Sequence, residues 1–238
     1  MQFTKSLRMP RLLVLLAGLL IFKVTISVIL GYRDYFPPNF DSDFLLGRES
    51  YFFGSYQWAF YTHIVSSPIA LLLGVILISE RFRLRFPVWH RYLGRIQGVC
   101  TLLLVTPSGI WMSYHAATGA VAAMGFCALG LATATCVALG WRSAVHRRFA
   151  EHRRWMWRSF LLLCSAVVIR VVGGVTVVAA IDAEWPYPLA AWMSWLAPLA
   201  VLELTGINLK RKPGQVRLFP NPASDTKSLE QAHCPRSK

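Results

Sequence analysis

The chain has 238 residues, 55% of them hydrophobic, yet 25 Lys and Arg stand against 11 Asp and Glu for a formal net charge of +14. An ordinary soluble domain does not combine these properties. Nucleic-acid binding is excluded as well, because such proteins gather their cations on a solvated face, and here the cations fall between long apolar runs.

A hydrocarbon core ~30 Å thick needs ~20 apolar residues of helix to cross it. The first segment, 1–11, is basic through Lys5, Arg8 and Arg11 and precedes an apolar run at 12–30. A cleaved signal peptide is the alternative for this run. Its length, the interruption by Lys23 and the poor cleavage site at Gly31-Tyr32-Arg33 favour a retained anchor. A loop crowded with Tyr, Phe and Pro follows, and aromatic rings of this kind prefer the membrane interface. Five more runs occupy 58–79, 92–114, 119–139, 157–181 and 189–207. The remainder, 210–238, is polar and carries Pro213, Pro220, Pro222 and Pro235, a composition expected to be disordered.

Lipid offers no partner for free backbone groups, so each run must be a helix or part of a closed barrel, and runs without two-residue alternation favour helices. The sequence therefore predicts an all-α fold, a polytopic bundle of about six transmembrane helices over 12–209 with no second domain. Lys and Arg concentrate in alternate connections: Arg81, Arg83, Arg85, Arg91 and Arg95, then Arg142, Arg147, Arg148, Arg153 and Arg154, while the opposite connections hold only Arg33 and Arg48. The positive-inside bias places both termini in the cytoplasm. Cys100, Cys127, Cys136, Cys164 and Cys234 lack any CxxC spacing and read as small apolar residues. Small residues in the third run (Gly94, Gly98, Thr101, Ser108, with Met112) and the second (Ser67, Ala70, Gly74) mark faces for close helix approach.

Ionisable groups inside spans are costly and point to function. Lys23, Arg170 and Glu203 qualify, and they could form a polar seam in which Arg170 pairs with Glu203 or clamps a ligand carboxylate. Four histidines lie near the two membrane surfaces, which allows pairing by depth: His63 with His115 on one side and His90 with His152 on the other. Two axial imidazole pairs in a dry bundle are what a two-haem b-type cytochrome requires. Such histidines also serve as plain polar caps of spans. His152 and Arg170 are about five turns apart and share a helix face. The stretch HRRFAEHRRWMWR, from His146, suits a cytoplasmic interface that holds anionic lipid headgroups. Neither a phosphate-binding glycine loop nor a Ser-His-Asp, HExxH or paired-carboxylate arrangement is visible.

The pieces HIVSSPIALLLG from His63, HRYLGR from His90, PSGIWM from Pro107, Gly125-Phe126, EHRRWMWRSF from Glu151 and Ile169-Arg170 together span 61–173. In this combination the chain resembles a bacterial family of predicted integral membrane proteins, domain of unknown function 2306. His63, His90, Arg95, His152, Arg158 and Arg170 fall on that family's polar positions, and His115 does not. The resemblance implies a helical bundle in the bacterial cytoplasmic (inner) membrane and carries no activity with it. Two functions are consistent with these residues. One is a haem b redox or electron-transfer protein ligated by His63, His90, His115 and His152, with Arg170 on a carboxylate. The other is a non-enzymatic small-solute or ion carrier, or assembly partner, built on Lys23, Arg170 and Glu203.

Overall fold

A computed structural model describes residues 11–205 except Asp43. Among the described residues every regular element is a helix: α1 (Arg11–Leu30), a 3-10 turn (Gly31–Asp34), α2 (Glu49–Phe52), α3 (Ser55–Ile78), α4 (Glu80–Arg85), α5 (Pro87–Cys100), a π-helical segment (Thr101–Val105), α6 (Thr106–Tyr114), α7 (Ala120–Val145), α8 (Phe149–Leu163), α9 (Ser165–Val178) and α10 (Pro186–Thr205). Six stretches of helix are long and apolar enough to cross a membrane. The third joins α5, the π segment and α6, and the fifth joins α8 and α9 across Cys164. The expected tail, 210–238, and Cys234 lie outside the described residues.

Two spans begin earlier than composition suggests. The fifth starts at Phe149 rather than 157, so Glu151 to Arg158 form helix instead of a loop, and His152 sits inside α8. Arginines are good helix formers, and Glu151 in the first turn suits the positive end of the helix dipole while pairing with Arg148 at 3.2 Å. The third span starts at Pro87, a residue suited to the first helical position because its missing N–H would have no partner there.

Packing follows the small residues in part. A Cβ added at Gly98 would meet the Trp141 ring at 2.5 Å, so α5 and α7 touch through a glycine. Gly140 on α7 accepts Met156 and Trp155 of α8, Gly125 accepts Trp192 of α10, and Gly74 on α3 lies against Gln97 and Phe160. Gly94, on the predicted stripe, faces open space and joins no helix contact. Cys100 and Cys136 are buried, as expected of small apolar residues, and Cys127 and Cys164 are partly so.

The aromatic loop folds into a cap over one end of the bundle. Leu45, Phe52 and Phe60 are completely buried with Tyr56 beside them. Arg48 fastens the cap. Its Nε donates to the Phe44 carbonyl at 2.7 Å and its Nη1 to the His115 carbonyl at 2.7 Å, at the C-terminus of α6 where the helix dipole favours a cation. The opposite end carries α4 and the arginine-rich links, so the bundle has a capped end and a basic end.

The first helix stands apart. Only 6% of its most apolar stretch is buried, and it packs mainly against α9 and the 3-10 turn. Ile21 and Val24 join Leu71, Leu163 and Val167 in one apolar cluster.

Candidate functional site

Pro68 interrupts the hydrogen bonding of α3, since proline has no N–H to give the carbonyl four residues earlier. That carbonyl belongs to Ile64, and the Tyr32 hydroxyl donates to it. The sequence thus creates a vacant acceptor in the capped half of the bundle, and the 3-10 turn after α1 fills it.

Beside this joint lies the π segment. Its wide turn precedes Pro107, and π turns commonly displace side chains at sites of function. Ser108 donates to the Leu104 carbonyl, and His63 Nδ1 lies 3.1 Å from the Ser108 oxygen. With the hydroxyl proton committed to Leu104, Nδ1 of His63 carries the proton and Nε2 keeps its lone pair. The ring edge rests on Gly109, where a Cβ would stand 3.0 Å away. His63 is therefore held against the first turn of α6, just beyond the π segment.

Arg170 is near enough for its charge to act on both His63 and Tyr32. One of its guanidinium nitrogens donates to the Ala166 carbonyl at 3.0 Å, a turn below on α9. Lys23 faces the same place from α1. Together with Val24, Ser27, Val28, Gly31 and Tyr35, these two cations line a cleft of about 390 Å³ between α1 and α9. Among the described residues no carboxylate lines it. Glu203, which the sequence made a partner for Arg170, lies elsewhere: its two oxygens accept from Arg158 at 2.7 and 3.0 Å, joining α10 to α8 at the basic half. The Trp155 ring covers that guanidinium at 4.7 Å. Of the expected seam, Lys23 and Arg170 share a cleft and Glu203 does not.

The histidines separate similarly. His90 and His152 come close enough to interact electrostatically near the basic end. His152 donates Nδ1–H to the Gly140 carbonyl at 2.9 Å, and His90 Nδ1 is buried without a hydrogen-bond partner among the described residues. His115 is remote from His63 in its contacts. It stacks on Tyr51 at 4.5 Å, meets Tyr56 and Tyr114 edge-on, and lines a separate cleft with Arg48. Burial and the positive charge of Arg48 hold its imidazole below the usual range.

The expected pairs sit in unlike surroundings. At the capped end His63 is tied to α6, whereas His115 is ringed by tyrosines. At the basic end, the Trp141 ring fills the α5–α7 contact over Gly98, and Met156 and Trp155 fill the α7–α8 contact over Gly140.

Tyr32, Ser108 and Arg48 carry roles that sequence reasoning missed. The missing N–H of Pro68 was a signal for Tyr32, because it demands a donor. Arg48 was the odd cation in an otherwise acidic, aromatic loop, and Ser108 was grouped with packing residues.

Fold and site together define a polytopic helical membrane protein with a cationic cleft in its capped half. The sequence model of domain of unknown function 2306, described as a predicted membrane protein, matches residues 60–205, and the chain belongs to that family. No curated protein and no solved structure matches it.

Proposed function

We propose that this protein is a non-enzymatic carrier or binding protein that receives an anionic ligand in the cleft between α1 and α9. Its basic end faces the cytoplasm of a bacterium, with the termini on that side and the arginine-rich links on anionic headgroups. One observation supports the reading above others: Lys23 and Arg170 face one cleft well inside their spans, and none of its described lining residues is acidic. A cation at the centre of a bilayer costs ~2.5 to 3.5 kcal/mol on insertion scales. Two in one place are expected to persist where something negative offsets them. Arg170 brings a planar donor set suited to a carboxylate or phosphate, and Lys23 a mobile point charge.

Thermal unfolding in a neutral detergent tests this against inorganic phosphate, acetate, oleate and phosphatidylglycerol. At least one of these anions raises Tm in the native chain, and the Lys23→Gln/Arg170→Gln variant loses that response. Identical responses from the two proteins, or none from either, would overturn the proposal.

A further inference from the structure

We infer that the ligand is an anionic lipid, which enters the cleft sideways from the bilayer; this rests on the anion-binding reading above and names its ligand class. The route is set by what closes the cleft and what leaves it open. Toward the capped end the way is barred by aromatic side chains: Tyr32 is fastened to the Ile64 carbonyl, the Tyr61 hydroxyl donates to the Tyr35 carbonyl at 2.8 Å, and Phe36 stacks on Tyr61 at 4.8 Å. A hydrated anion approaching from that surface would have to cross this layer. Toward the lipid there is no such barrier. Lys23 and Arg170 are both exposed at the side of the bundle, and α1 buries little of its own surface.

The helix face above Arg170 leaves room for a headgroup to reach it. Gly173 and Gly174 follow Arg170 by three and four residues, on the same face of α9. A Cβ at either would meet nothing within 4 Å, so a smooth strip of backbone runs from the guanidinium toward the capped end. Across from Arg170, Val24 and Val28 give the α1 wall an apolar lining beside Lys23. Arg170 lies about 12 Å of helix rise below the end of α9. The headgroup therefore sits deeper than in the surrounding leaflet, held by two cations, and the open glycine face leaves its way down to Arg170 clear.

The test uses the full chain in phosphatidylcholine vesicles containing a trace of spin-labelled phosphatidylglycerol, with spin-labelled phosphatidylcholine as reference. Immobilisation of the phosphatidylglycerol label is expected to exceed the reference. That preference should fall roughly tenfold in Lys23→Gln or Arg170→Gln, the loss of one charge-assisted contact. Arg170→Lys should recover part of it, and Gly174→Leu, which fills the strip and leaves both cations in place, should reduce it too. The arginines of the basic end are common to all variants and drop out of the comparison. Equal immobilisation of the two labels, or a preference unchanged by all four variants, would overturn the inference. If inorganic phosphate still raises Tm in the native chain and not in the double variant, the anion site stands and its ligand is a free anion.

Discussion

At the scale of single residues, the bond from Tyr32 to Ile64 offers the cleanest measurement. Tyr32→Phe leaves the carbonyl that Pro68 frees without its donor, and such a loss costs about 1 to 3 kcal/mol. Pro68→Ala restores a backbone N–H to that carbonyl, so in its background Tyr32→Phe should be nearly neutral. A double-mutant cycle in detergent, with unfolding as the readout, checks the coupling. His115 supplies a pH effect of definite sign. Burial and Arg48 lower its pKa in the folded chain, so the unfolded chain takes up a proton first as pH falls. The stability of the cap is then fully present above the usual imidazole range and is lost as pH drops through it toward the folded value. His115→Gln should flatten that part of the profile, measured by tyrosine fluorescence between pH 5 and 7.

At the scale of elements, the aromatic cap is the unit most dependent on burial. Phe52 is fully buried among Tyr56, Phe60, Phe40 and Tyr61. Phe52→Ala should cost about 3 to 5 kcal/mol and increase protease sensitivity of the loop before α3, whereas Trp58→Ala, at an exposed ring, should leave cleavage unchanged. The sequence placed this loop at an interface and had no means of seeing its fold, because aromatic content gives a location and says little about mutual contacts. Span positions were legible, since apolar length is set by bilayer thickness. Their starts are less so: an arginine-rich helix end looks like a loop to hydropathy, and for that reason the expected fifth span begins at 157 while the helix begins at Phe149. The third span leaves regular α-helix just before Pro107, in a π segment that hydropathy does not register, and His63 packs on the turn that follows. The partner of Glu203 could not be read from spacing at all. Arg158 and Arg170 lie on the same span, and only the fold decides which of them meets α10.

For the whole molecule, the surroundings of the histidines give a spectroscopic expectation. Chain expressed with ample haem and purified in detergent should show no Soret band, and His90→Ala and His152→Ala should not alter its visible spectrum. A band abolished by either change would restore the cytochrome reading. Orientation is open to a second measurement. Single cysteines placed at Arg83 and Arg147, in a chain with the native cysteines replaced, should resist membrane-impermeant maleimide added outside spheroplasts and react after lysis.

The loose seating of α1 also bears on how the chain comes together. This helix leaves the ribosome before its partners: the residues it finally touches, Leu71 on α3 and Leu163 and Val167 beyond it, are made later. Lipid is as apolar a neighbour as another helix, so the segment can wait alone in the bilayer without exposing anything to water. A helix made before its partners thus docks only after them, and a chain cut before Ser55 should leave it crosslinking to lipid and not to protein.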